Sequence, residues 1–131
     1  MKAAPFDYLR VDSLGEALTA LAEGGGDARV IAGGQSLGAM LNMRIVTPAA
    51  LIDINGLAEL SRIDVSGDAV VTGALVRQAD ALADPRIDAR VPLLAKALPH
   101  VGHFQTRNRG TLGGSVAHAD PSAEIPLTLA T

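Results

Sequence analysis

Apolar positions near the start of the chain recur at helical spacing. Leu14, Ala17, Leu18, Leu21 and Ala22 fall on one face of a 3.6-residue period. Ser13 and Glu16 stand at capping-box separation, the serine accepting an orphan backbone N–H and the glutamate reaching back. Gly24-Gly25-Gly26 ends the helix, because glycine takes the left-handed C-terminal conformation without steric cost. Short apolar runs then predict strands at Arg29 to Ala32, leading into Gly33-Gly34, and at Leu51 to Ile54, closed by Asn55-Gly56. Ser61 to Val65 and Ala69 to Thr72 flank Ser66-Gly67-Asp68, a hairpin signal. Arg77 to Ala83 and Val91 to Leu98 read as helices separated by Asp84-Pro85 and stopped at Pro99. From Val101 to Ser115 no periodicity survives. The order predicts an α+β fold with a βαβ-like beginning. The final stretch from Pro126 to Thr131 is apolar, has no charge after Glu124, and reads as the opening of a helix. That ending gives the expectation of a fragment.

Composition removes whole classes of function. The 131 residues suffice for one ordinary domain, and 48% of them are hydrophobic. That fraction holds 23 Ala and 17 Leu against two Phe, one Tyr and no Trp, so large rings contribute little filling. A net charge of −3 with no basic block argues against a phosphate-backbone binder, and three scattered rings make no base-stacking platform. No apolar run approaches the roughly 20 residues of a membrane span, and the start carries no signal-peptide core. The absence of cysteine removes disulfides, thiolate metal sites and iron–sulfur ligation by this chain. A cytoplasmic, glycine-punctuated domain is the expectation.

Two glycine motifs carry most of the chemical information. Ala32-Gly33-Gly34-Gln35-Ser36-Leu37-Gly38 directly follows a predicted strand. Adjacent glycines bring bare N–H groups against a ligand, successive N–H groups suit anionic oxygen, and Ser36 adds a hydroxyl. A tight strand-to-helix turn holding nothing is the competing reading. Neither the dinucleotide fingerprint nor the P-loop pattern is present. The second motif, Thr106-Arg107-Asn108-Arg109-Gly110-Thr111-Leu112-Gly113-Gly114-Ser115, combines three glycines with hydroxyls and guanidinium groups able to meet a pyrophosphate. A solvated surface loop is the alternative there.

Together these residues resemble a known family. Ala-Gly-Gly-Gln-Ser-Leu, followed by Arg-Asn-Arg-Gly-Thr-Leu-Gly-Gly-Ser-Val-Ala-His-Ala-Asp-Pro-Ser-Ala-Glu-Ile-Pro, is similar to the FAD-binding medium subunit of molybdenum hydroxylases. The carbon monoxide, xanthine and nicotine dehydrogenases are of this type. Pro-Phe-Asp-Tyr at the start, the Leu51-Ile52-Asp53-Ile54 strand and Thr72-Gly73-Ala74-Leu75-Val76-Arg77 extend the likeness over essentially the whole chain. The resemblance implies a two-lobed FAD-binding fold, with a small N-terminal α/β lobe (residues 1–56) and part of a larger α+β lobe (57–131), truncated at its C-terminus. It implies that Ala32, Gly33, Gly34, Gln35, Ser36 and Leu37 line the FAD pyrophosphate, and that Thr111, Gly113, Gly114 and Ser115 form a second cradle. His118 stands where the family has another polar FAD contact. Glu124 stands where members commonly have Asp, with longer reach.

The same resemblance implies partners. A large molybdopterin-binding subunit oxidises the substrate, a small subunit with 2Fe-2S clusters relays electrons, and this chain passes them through FAD to an external acceptor. Because a flavin carries the electron chemistry, no catalytic side chain is required and none is assigned. A stand-alone flavin oxidoreductase of the same fold, and a cofactor-free assembly fragment, stand as alternatives.

The remaining polar residues favour plainer roles. His100 and His103 lack a third ligand for a metal site. His118 and Asp120 lack a nucleophile-elbow serine. Arg107 and Arg109 flank the glycines and are expected at phosphate or a subunit contact. Met40 to Met43 is expected to pack in a core or interface.

Overall fold

The computed structural model describes residues 1–131 as two compact units, Met1–Ala58 and Glu59–Thr131. The first is built as β1 (Asp7–Arg10), α1 (Leu14–Gly24), β2 (Ala28–Ile31), α2 (Leu37–Asn42) and β3 (Ala50–Asp53). Its three strands are all parallel in the order β1-β3-β2, so that Leu51 of β3 stands between Tyr8 and Arg29. The central strand is the buried one: Leu51 and Ile52 are almost wholly enclosed, as a strand flanked on both edges requires.

The Ser13 cap of α1 forms as its spacing predicts, while the returning Glu16 bonds the amide one residue before the cap instead of that of Ser13. Ser13 Oγ accepts the Glu16 amide at 3.1 Å, and Glu16 Oε2 accepts the Asp12 amide at 2.9 Å. Gly25 follows at φ +54° and ψ −139°, a glycine conformation outside the left-handed helical region that the sequence predicts, and its N–H closes the helix on Ala22 O. The apolar stripe of α1 contributes little to the core. Only Ala17 is buried, while Leu14, Leu18 and Leu21 are exposed. The helix packs on β2 and β3 through its small residue, and its leucines stand outward. Met43 is likewise exposed, and only Leu41 of the Met40–Met43 stretch is buried. Strand β1 has no local signature; all four of its residues are exposed, and backbone pairing with β3 makes it a strand.

The second unit opens with the hairpin β4 (Ile63–Ser66) and β5 (Ala69–Thr72), turning at Gly67-Asp68 with Gly67 at φ +56°. Six short helices follow: α3 (Gln78–Ala83), α4 (Pro85–Arg90), α5 (Pro92–Ala97), α6 (Phe104–Arg109), α7 (Leu112–His118) and α8 (Glu124–Ala130). Val76, Ala81, Ile87, Leu94, Leu98, Leu112 and Ile125 form their common core. Helices α3, α4, α5, α7 and α8 each deliver one of these side chains and α6 delivers none, which is too few to leave a periodic stripe in the sequence.

Two expectations are corrected in this unit. The boundary read at Asp84-Pro85 begins a helix of its own. Asp84 caps α4 by accepting the Arg86 amide at 2.8 Å, and Pro85 occupies its first position, where a missing N–H costs nothing. The aperiodic stretch from Val101 to Ser115 contains α6 and the start of α7. Arg86 and Arg90 of α4 then donate to the carbonyls of Ile63 and Gly67, tying the helix to the hairpin at 2.6 and 2.9 Å.

Candidate functional site

The first glycine motif joins β2 to α2, and Gly34 takes φ +69°, a conformation that a side chain would strain. Gly33 is buried, Ala32, Gly34 and Leu37 are half-buried, and Gln35 and Ser36 are exposed. The loop's carbonyls are pinned one after another. The Ala32 oxygen accepts Asn55 Nδ2 at 2.8 Å, that of Gly33 accepts Gln35 Nε2 at 3.0 Å, and that of Gly34 accepts the Gly38 amide at 2.8 Å. The amides behave in the opposite way. Those of Gly33, Gly34, Gln35, Ser36 and Leu37 donate to no acceptor within the chain. Five consecutive donors on a glycine turn are the arrangement that receives anionic oxygen.

A side-chain relay that the sequence reading missed supports this loop. Asp53, at the end of β3 and only 7% exposed, accepts the Asn55 amide at 2.9 Å through Oδ1 and the Tyr8 hydroxyl through Oδ2. Burial raises the Asp53 pKa, yet hydrogen bonds from Tyr8 and Asn55 outweigh it and hold the carboxyl below the usual carboxylate range. The Tyr8 hydroxyl, donating to that carboxylate, is pushed above the usual tyrosine range. An Asp at a strand end before Asn-Gly was the available signal, since Asx side chains bond backbone two residues on.

The second glycine motif differs from its sequence reading. Thr111 is 2% exposed and caps α7, its Oγ1 accepting the Gly114 amide at 3.0 Å. The Leu112 amide donates to Val76 O at 2.9 Å, that of Gly113 to Ala74 O at 3.1 Å, and that of Ser115 to Thr111 O at 3.2 Å. Every N–H from Leu112 to Ser115 is therefore engaged inside the chain, and no bare amide concavity is presented.

The glycines in this segment serve close packing. A Cβ on Gly113 would lie 2.6 Å from Ala74 Cα, one on Gly110 would lie 2.9 Å from the Gln78 amide, and one on Gly114 would lie 2.7 Å from Thr111 Oγ1. Available polar groups remain on the side chains. Ser115 and His118 stand on α7, and Glu124 opens α8, which packs against α7.

The arginines also separate. Arg107 Nη1 donates to the carbonyls of Val101 and Gly102, both at 3.0 Å, and so closes the turn before α6. Arg109 is exposed, and its backbone carbonyl accepts from Arg77 Nη1. Asp120 accepts the amide and hydroxyl of Ser122, at 2.9 and 2.7 Å, and these bonds hold its carboxyl below the ordinary range. Its role is to turn the chain between α7 and α8.

Comparison with known proteins agrees with this fold. Residues 4–131 match the family described as the FAD binding domain in molybdopterin dehydrogenase. The chain is 46% identical over 129 residues to the 6-hydroxypseudooxynicotine dehydrogenase complex subunit alpha of Paenarthrobacter nicotinovorans, covering 98% of this chain and 44% of that protein. It superposes on a carbon monoxide dehydrogenase of Hydrogenophaga pseudoflava with a TM-score of 0.93 at 43% identity, over 96% of this chain and 44% of the other. Quinoline 2-oxidoreductase of Pseudomonas putida 86 gives a TM-score of 0.92 at 46% identity, with the same coverage of 96% and 44%. The chain thus spans less than half the length of these relatives. No helix is long and apolar enough to cross a membrane. With the expected α+β architecture present and both glycine motifs inside the matched span, the chain belongs to the FAD-binding domain family of the molybdopterin dehydrogenases, the family of the medium subunits of molybdenum hydroxylases.

Proposed function

We propose that this chain holds FAD within a heteromeric molybdenum hydroxylase and that the Gly33–Leu37 loop receives the cofactor's pyrophosphate. The observation that carries this reading is the run of five amides without an acceptor in the chain, backed by carbonyls that are already bonded. A diphosphate supplies the anionic oxygens that such a run lacks, and the exposed Ser36 hydroxyl adds a donor beside it.

Ser115, His118 and Glu124 are assigned to contacts made by side chains. Thr111, Gly113 and Gly114 are assigned to forming and seating the helix that carries them. In this reading residues 1–56 and 57–131 are the two lobes that serve the cofactor. Bound FAD supplies the electron-transfer chemistry. The protein's own residues bind and orient, and no general acid or base is needed.

Relatives named as a subunit of a dehydrogenase complex and as medium chains support work beside partner subunits. Those partners would be a large molybdopterin-binding subunit and a small iron–sulfur subunit, from whose 2Fe-2S clusters electrons pass through FAD to an external acceptor in the cytoplasm.

Titration with FAD, FMN and riboflavin, followed by flavin fluorescence, tests the pyrophosphate assignment. FAD is expected to bind more tightly than the other two, and Gly34→Ala to weaken FAD most. Equal affinity for FAD and riboflavin, or no binding of FAD at all, overturns the reading.

A further inference from the structure

The five amides of the glycine loop are useful to an anion only if they point the same way, and the structure shows what aims the first of them. We propose that Asn55 is a positioning residue for the phosphate-receiving loop, acting through the Ala32 carbonyl and held in place by Asp53 and Tyr8. The inference rests on the loop's proposed role in binding FAD.

In a trans peptide the C=O and the following N–H point in opposite directions from one rigid plane, and no peptide of this chain is cis. Asn55 Nδ2 donates to Ala32 O at 2.8 Å, so the plane joining Ala32 to Gly33 is fixed from behind and the Gly33 N–H is turned to the opposite side. Glycines on either side of a turn otherwise rotate freely. A loop containing Gly33 and Gly34 would lose that orientation without an external partner. Gln35 and Gly38 pin the next two carbonyls from within the loop itself. Asn55 is the partner that comes from outside it, 23 residues along the chain.

The Asn55 side chain is itself constrained. Its amide nitrogen also donates to Asp53 Oδ1 at 2.5 Å, which uses both of its N–H donors. Asp53 Oδ1 takes the Asn55 backbone amide as well, and Oδ2 takes the Tyr8 hydroxyl. Groups on β1, at the end of β3 and just beyond it therefore converge on one carbonyl at the entrance of the loop.

The test compares the wild-type chain with Asn55→Ala. It uses backbone order parameters of the cofactor-free protein and FAD affinity by fluorescence titration. The order parameters of the Gly33 and Gly34 amides are expected to fall from about 0.85 to below about 0.6, while those of Leu51 to Asp53 stay rigid. FAD affinity is expected to drop at least about tenfold, as imperfectly preorganised binding requires. Tyr8→Phe, a milder cut at an exposed residue, should move both readouts in the same direction by less, and it keeps the test open if Asn55→Ala does not fold. Unchanged order parameters at Gly33 and Gly34 overturn the inference whatever the flavin does. A loosened loop that binds FAD as tightly as the wild type overturns it too. A wild-type chain that binds no FAD defeats the functional reading instead, and the order parameters still decide whether Asn55 orients the loop.

Discussion

A methyl group added to Gly113 separates two reasons for a glycine in the second motif: room for a ligand, or room for the chain's own backbone. The ideal Cβ of Gly113→Ala lies 2.6 Å from Ala74 Cα and 2.7 Å from both its Cβ and its carbonyl oxygen. Ordinary carbon contacts begin near 3.5 Å, so α7 and the Ala74 segment must separate by roughly 0.8 Å. That displacement acts on backbone and has no flexible side-chain end to absorb it. Overpacking of this kind costs about 1–3 kcal/mol. It also stretches the bond from the Gly113 amide to Ala74 O, now 3.1 Å, at a further cost of about 1 kcal/mol. Alanine regains up to about 1 kcal/mol of helix propensity over glycine. The net expectation is a loss of about 1–3 kcal/mol in the cofactor-free chain. Urea unfolding followed by circular dichroism reads this directly. With a slope of about 1–3 kcal/mol per molar urea, the midpoint should fall by roughly 1 M. A midpoint that stays in place or rises, together with lost FAD affinity, would refute the packing argument and return Gly113 to the ligand.

Thr111→Ala removes the cap of α7 and should lower stability by about 1 kcal/mol, with Thr111→Ser restoring most of it; urea midpoints of the three chains decide. The Tyr8–Asp53 hydrogen bond predicts a pH window. Asp53 is held below its ordinary 3.8, so its contribution is present above that value and lost as pH falls through the lower folded value. Tyr8 is held above 10.0, so its contribution is present below that value and lost as pH rises through the raised folded value. The stability difference between wild type and Tyr8→Phe should therefore be constant across the window and shrink at both ends. A difference that persists unchanged at strongly acid pH would contradict the hydrogen bond.

The elements read correctly from the chain are those whose cause is local. Ser13 and Glu16 cap α1 within four residues, Gly25 ends it, and Gly67 turns the hairpin, so each signal and its effect lie side by side. The missed elements have distant causes. Strand β1 exists through pairing with residues more than forty positions away. Helix α6 is polar after its exposed first residue, Phe104, buries no side chain, and packs against α3. The candidate site divides along the same line. The Gly33-Gly34 turn was legible because glycine's backbone freedom belongs to the residue itself. The Asn55, Asp53 and Tyr8 relay was not, because a hydrogen bond from Asn55 to Ala32 leaves no periodic trace.

By itself the sequence determined the family, the α+β class and the places where the backbone turns, since glycine spacing, capping pairs and strand lengths are local or carried by motif. Tertiary structure alone decided what the glycines are for. The first motif leaves five amides without acceptors, whereas in the second the Ala74 to Gln78 segment takes the space and, with Thr111, the hydrogen bonds. The same two letters, Gly-Gly, permit both outcomes. Glycine only removes a Cβ, and whichever atoms the rest of the chain brings against that gap determine whether backbone or ligand occupies it.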